Sequence, residues 1–203
     1  MAANEKKNQI AALVLAAGSS SRLGQPKQLV EVGGETLLER TVGVVWQAGC
    51  REIAVVLGAH REKIAPLAEQ LPVGLVYNER WAEGMGSSIA CGIDFLQQHF
   101  PETEAVLIVL TDQPLLSEDF LLRLIKAYQT SAFKIAAADY GDAPGPPSIF
   151  GRDFFVELSN LNGQQGARKI LQKHREQLAS LPFPEGHFDL DTPEDLERLR
   201  QLS

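Results

Sequence analysis

Arg22 and Lys27 stand in the stretch Ala16-Ala17-Gly18-Ser19-Ser20-Ser21-Arg22-Leu23-Gly24-Gln25-Pro26-Lys27. Two cations of different kind, set among hydroxyl residues and bounded by glycines, are suited to wrapping a polyphosphate. Gly18 and Gly24 admit backbone conformations in which main-chain N–H groups turn toward an anion. Arg22 offers a planar fork to phosphate oxygens, and Lys27 a compact charge on a flexible stem. Asp112 ends an aliphatic run in Leu110-Thr111-Asp112-Gln113-Pro114. A carboxylate at a strand end beside a phosphate loop suits Mg2+, which takes oxygen ligands and usually one or two carboxylates.

Two common phosphate motifs are excluded. A P-loop has four residues between its glycines and then Lys-Ser/Thr, whereas Gln25 follows Gly24 here. Neither this loop nor Gly84-Met85-Gly86-Ser87-Ser88-Ile89 completes the G-x-G-x-x-G of dinucleotide folds.

The elements that must hold these residues follow from apolar patterning. Ile10 to Leu15, Ile53 to Leu57, Val73 to Tyr77 and Ala105 to Leu110 are short apolar runs, the first and last nearly continuous as in strands buried on both faces. Between them lie helical patterns: Leu37 to Trp46, with Trp46 reading as core, Arg61 to Gln70, and a helix opening after Gly84. Ser117, followed by Glu118 and Asp119, caps another. Four such alternations predict an α/β fold, a Rossmann-like three-layer sandwich with a mostly parallel central sheet. Ligands bind such sheets beyond the carboxyl ends of the strands, where the Gly18–Lys27 loop, Ser87-Ser88 and Asp112 all fall.

The second half is less regular. Ile135 to Ala138 reads as a strand, residues 141–147 as a proline- and glycine-rich turn, and Ser148 to Phe150 as an antiparallel return. Helices are expected over residues 152–158 and 163–175. A last helix follows Thr192 as N-cap, with Pro193 at N1 and Glu194 and Asp195 complementing the dipole. Without an internal repeat or linker, residues 1–203 read as a single domain, with 1–8 a disordered polar tail.

A chain of 203 residues buries roughly 70% of its unfolded surface. A net charge of -7 argues against nucleic acid, which selects a basic face. Cys50 and Cys91 are isolated thiols without zinc or disulfide spacing, so the expected home is the reducing cytoplasm. Lys6 and Lys7 ahead of the run from Ile10 loosely imitate a signal peptide, but the run flows directly into the phosphate loop. No stretch approaches the ~20 apolar residues of a membrane span.

The loop Leu15-Ala16-Ala17-Gly18-x-Ser20-x-Arg22-x-Gly24-x-Pro26-Lys27 resembles the signature of nucleotidyltransferases that activate a small phosphorylated acceptor with a nucleoside triphosphate. Within that superfamily the chain is most similar to the molybdenum cofactor cytidylyltransferases and their guanylyltransferase relatives. Blocks at Gly84–Ser88, Leu110–Pro114, Gly145–Phe150, Gly163–Arg168 and Asp189–Asp195 carry the likeness along the chain. The resemblance implies transfer of CMP from CTP to the terminal phosphate of a molybdopterin-type acceptor, with release of pyrophosphate, and a molybdoenzyme apoprotein as a further partner.

It implies that Ala16, Ala17, Gly18, Ser19, Ser20, Arg22, Lys27, Ser87 and Ser88 bind the nucleotide. Arg22, Lys27 and Asp112 carry catalysis, Asp112 and Asp191 hold Mg2+, with Asp189 the lesser candidate, and Arg168 meets the acceptor. Ala17 resembles the cytidylyltransferases, where the guanylyltransferases tend to have glycine. A phosphate monoester has a second pKa near ~6 and is already largely ionised at neutral pH, so no general base is required. His60, His99, His174 and His187 accordingly form no catalytic pattern.

The sequence departs from the pattern at Pro146, which has no N–H to donate, and at Gln164, where an acid is expected. Both fall on the half expected to meet the acceptor, so a non-catalytic carrier with the same fold is a second expectation. Simpler roles also exist: Asp112 as a turn cap, Asp191 as a helix-terminal charge, Ser87 and Ser88 as caps, and Arg168 as a solvated helix charge.

Overall fold

The computed structural model describes residues 9–202; the tail expected at residues 1–8 lies outside them. In chain order the elements are β1 (Ile10–Ala16), β2 (Glu31–Val32), β3 (Glu35–Thr36), α1 (Leu37–Gln47), β4 (Ile53–Leu57), α2 (Arg61–Ala68) and β5 (Gly74–Tyr77). They continue as α3 (Met85–His99), β6 (Ala105–Leu110), α4 (Glu118–Thr130), β7 (Ile135–Asp139) and β8 (Pro144–Gly151). The last are α5 (Phe155–Ser159), α6 (Arg168–Lys173), β9 (Leu178–Pro182) and α7 (Pro193–Leu202).

Seven strands form one sheet in the order β5-β4-β1-β6-β8-β7-β9, with β2 and β3 a separate hairpin. β8 runs antiparallel to both β6 and β7, while the other adjacent pairs are parallel. The sheet is thus mostly parallel, with helices on both sides. Alternation along β1 sends Ala12, Val14 and Ala16 to one face and Ala11, Leu13 and Leu15 to the other. The first face packs on α1, α2 and α4, through residues such as Val42, Ile64 and Leu121. The second packs on α3, α5 and α6, through Ile93, Leu158 and Leu171. Chain order reverses between β1 and β6, the switch point at which such sheets bind ligands.

A small third cluster bears directly on the site. Leu23, from the glycine-bounded loop, packs with Val30, Val32 and Leu37 against Leu190, Leu196 and Leu199. The residues next to Arg22 and Asp191 are therefore buried together. The N–H of Leu190 also donates to the carbonyl of Asp112 at 2.8 Å.

The second half corrects several expectations. Residues 144–147 are the start of β8 rather than part of a turn. Their prolines are tolerated because β6 pairs only with residues 148–151, so one side of the strand makes no ladder bonds there. The expected helix over 163–175 is broken into a 3-10 turn at Gly163–Gln165, α6, and another 3-10 turn at Arg175–Gln177. β9 has no counterpart in the sequence reading; it pairs at the sheet edge with β7, largely half-exposed and without an apolar run. Trp46 is 37% exposed with the Arg51 guanidinium 4.4 Å over its ring, not a core residue. Ser117 does cap α4 by accepting from the N–H of Phe120.

Candidate active site

The loop after β1 is shaped by its own chemistry. Ser20 and Gly24 take positive φ, 50° and 75°, and the Ser20 hydroxyl accepts from the backbone N–H of Lys27 at 3.1 Å. This folds the loop back so that Lys27 points under it. Gln28, 1% exposed, fastens the same turn to the end of β1 by donating to the Ala16 carbonyl at 2.8 Å.

Lys27 stands between two carboxylates. Its Nζ donates to Asp191 Oδ1 at 2.7 Å and to Asp112 Oδ2 at 3.2 Å. Arg22, reaching over from the exposed side, donates to Asp191 Oδ2 at 2.5 Å. Only 10% of the Lys27 side chain meets solvent. Burial is the largest influence on its ammonium and pushes its pKa down, but the pull of Asp112 and Asp191 together prevails and holds it above the ordinary lysine value. Asp189 is exposed as a residue, yet the protein packed around its carboxyl, reinforced by the charges of Asp112 and Asp191, pushes that carboxyl up to about 7.

Asp112 Oδ1 is buried and has no hydrogen-bond partner among the described residues. A buried carboxylate oxygen of this kind calls for a cation or a donor. The hard oxygen donors of Asp112 and Asp191 fit a divalent ion such as Mg2+. Among the described residues no group of three or more His, Cys, Asp or Glu converges to hold a metal unaided.

Asp191 is free for this role because another residue caps α7. Thr192 Oγ1 accepts from the N–H of Asp195, and Asp195 Oδ2 accepts from the N–H groups of Thr192 and Asp191. Asp195 and Thr192 satisfy the helix end, leaving the Asp191 side chain to the cations.

Two clefts adjoin across Leu110, and the first takes in Lys27 and Asp112 of this cluster. The first, about 360 Å³, is lined by Ala17, Gly18, Ser19, Lys27, Asp112, Trp81 and Ser88. Its far wall is the start of α3, where Gly84 takes φ 121° and a Cβ would lie 2.5 Å from the Gly163 carbonyl oxygen. The second, about 250 Å³, is lined by Gln113, Tyr140, Pro146, Arg168 and Asp189. Leu110 borders both.

The expected nucleotide residues divide accordingly. Ala17, Gly18, Ser19, Lys27 and Ser88 face the first cleft, Arg22 and Ser20 belong to its rim and turn, and Ala16 is committed through its carbonyl to Gln28. Ser87 lies behind the wall, its hydroxyl bonded to the carbonyls of Arg80 and Gly84 and accepting from Asn78 Nδ2. Arg168 lines the second cleft, with Asp142 3.9 Å away. Gln164 lines the first cleft, not the second. Pro146 lines the second, where its carbonyl is the working group: Tyr140 donates to it, and Gln113 Nε2 donates to it at 3.3 Å.

Sequence reasoning passed over Gln28, Asn78, Gln113 and Tyr140. The available signal was adjacency: Gln28 and Gln113 each follow a charged site residue, and amides there are placed to bind main-chain groups.

Residues 12–178 match the family described as MobA-like NTP transferase domain. Nicotine blue oxidoreductase of Paenarthrobacter nicotinovorans is 31% identical over 173 residues, 81% of this chain and 82% of that protein. Bifunctional protein GlmU of Mycobacterium sp. (strain KMS) is 31% identical over 66% of this chain, which spans only 28% of that longer protein. Rv0371c of Mycobacterium tuberculosis H37Rv superposes with a TM-score of 0.78 at 30% identity, over 95% of this chain and 98% of that one. Its complex with manganese superposes at 0.74, with 29% identity over 96% and 100% of the two chains.

Proposed function

The chain belongs to the MobA-like NTP transferase family and is a nucleotidyltransferase, and from that premise we propose that it transfers CMP from CTP to the terminal phosphate of a molybdopterin-type acceptor. The observation that carries the transfer is the buried Lys27 between Asp112 and Asp191, with Lys27 and Asp112 lining the first cleft. The preference for CTP rests on Ala17 and the choice of acceptor on the family likeness. On this reading residues 1–203 act as one nucleotidyltransferase domain, and a molybdoenzyme apoprotein takes the product.

The nucleotide enters the first cleft, with its phosphates against the Gly18–Lys27 loop. Arg22 and Lys27 neutralise them, and Ser88 and the α3 start bound the nucleoside. The acceptor lies in the second cleft, its anionic end turned to Arg168. An acceptor phosphate oxygen, ionised without a base at neutral pH, attacks the α-phosphorus, and the bond from that phosphorus to the bridging oxygen breaks to release pyrophosphate. Asp112 and Asp191 would hold Mg2+, which supplies positive charge against phosphate oxygens. A relative solved in complex with manganese supports a divalent ion.

The test is pyrophosphate release from CTP, GTP, ATP and UTP, each with Mg2+ and molybdopterin. Release chiefly from CTP is expected; release chiefly from GTP would overturn the base assignment and keep the transfer. A second reading, favoured by the relative named for an oxidoreductase, is separated by the same assay. A redox enzyme on this scaffold would release pyrophosphate from none of the four.

A further inference from the structure

Every oxygen of Asp191 is engaged by a cation from the phosphate loop: Oδ1 by Lys27 and Oδ2 by Arg22. Asp112 Oδ2 is engaged by the same Lys27, leaving only Asp112 Oδ1. A divalent ion that uses both carboxylates therefore competes with Lys27 and Arg22 for the same negative charge and the same oxygens. Both cations come from the loop suited to phosphate. Arg22, with 71% of its side chain exposed, has room to swing. Lys27 is anchored through its backbone N–H to Ser20, so only its stem moves.

We propose that Lys27, on both carboxylates, and Arg22, on Asp191, hold the Asp112–Asp191 pair in the place of a divalent ion, and that nucleotide phosphates open this pair to the ion by drawing the two cations away. Two carboxylates that share one cation, each with about a third or less of its side chain in solvent, repel one another when that cation leaves. The pair therefore passes from one positive partner to another. Metal and nucleotide then bind with positive coupling, and each tightens the other by the same factor. The inference rests on the reading of the first cleft as a nucleotide site, but its core, competition between Lys27 and the metal, is testable without nucleotide.

The experiment is Mn2+ binding to the full chain, followed by the paramagnetic resonance of free Mn2+, with and without the α,β-methylene analogue of CTP. In the wild-type chain the analogue should tighten Mn2+ at least tenfold. Lys27→Met should bind Mn2+ alone at least tenfold more tightly than wild type, and the analogue should add less. Lys63→Met, which removes an equal charge that pairs with neither carboxylate, should match wild type. The thermal midpoint of Lys27→Met should rise more on adding Mn2+ than that of wild type.

Equal Mn2+ affinity in Lys27→Met and wild type, or equal tightening in Lys63→Met, would overturn the exchange. An analogue that fails to bind wild type would overturn the nucleotide reading, while the metal-alone comparison still decides the competition. If Lys27→Met does not fold, Arg22→Met, at an exposed position, carries the same comparison with the same two outcomes.

Discussion

Lys27 shows how a charge can be placed where burial alone would disfavour it. Asp112 and Asp191 draw the ammonium into the floor of the cleft, and the hydroxyl of Ser20 fixes its backbone. The pair of carboxylates thus stores positive charge beside the loop proposed to hold the phosphates. Asp112 is the more critical of the two, because its Oδ1 is the buried oxygen without a partner. Asp112→Ala is expected to lower the transfer rate by at least the ~10²–10³ typical of losing one electrostatic stabiliser, with little change in fold. Steady-state kinetics with circular dichroism check this; near-normal turnover would remove Asp112 from the chemistry. Gly84 is critical for a different reason. Its positive φ and the 2.5 Å approach a Cβ would make to the Gly163 carbonyl leave no room for a side chain. Gly84→Ala should destabilise the protein by about 1–3 kcal/mol through backbone strain and weaken nucleotide binding with it, as urea unfolding and nucleotide titration would show.

The elements bring together residues that are remote in sequence. Lys27 and Asp191 are 164 positions apart, yet Leu23 and Leu190 bury their neighbours in one cluster, and the Leu190 N–H ties the last unit to Asp112. Leu190→Ala removes a side chain with 0% exposure. It should cost about 2–5 kcal/mol of stability and reduce turnover without touching substrate. Chemical denaturation and kinetics on the same variant would reveal a loss of one without the other, which would separate packing from catalysis. α4 supplies a pH dependence. Burial, with the charges of Asp153 and Glu104 adding, pushes the Tyr128 hydroxyl up to about 12. The folded state therefore holds this proton more firmly than the unfolded one. Its contribution is full below about pH 10 and is lost between pH 10 and 12, on the order of 2 kcal/mol. Tyr128→Phe should flatten the alkaline fall in stability over that window; an unchanged slope would show that other groups set it.

At the scale of the whole molecule, the first half was legible because burial on both faces writes continuous apolar runs. β1 and β6 are such runs, and their ends carry Lys27's loop and Asp112. β9 was not legible because an edge strand with half-exposed residues needs no apolar run; β8 was legible at Ser148 to Phe150, which pair antiparallel as expected, while residues 144–147 hid behind prolines that an unpaired strand side tolerates. The candidate site was readable as residue types but not as contacts. Sequence alone offered Asp191 as either a metal ligand or a helix-terminal charge. The structure gives the capping of α7 to Thr192 and Asp195 and turns the Asp191 side chain to Lys27 and Arg22. Likewise, the missing N–H of Pro146 looked like a loss, whereas the fold uses its carbonyl.

The most direct test is the fate of the α-phosphate. CTP labelled at its α-phosphorus would be incubated with the wild-type chain, Mg2+ and molybdopterin, alongside Asp112→Ala. Label should pass into the acceptor in step with pyrophosphate release by the wild-type chain, and both should fall together in the variant. Label that stays with the nucleotide while the acceptor is intact, or transfer that survives unchanged in Asp112→Ala, would contradict nucleotidyl transfer at this site.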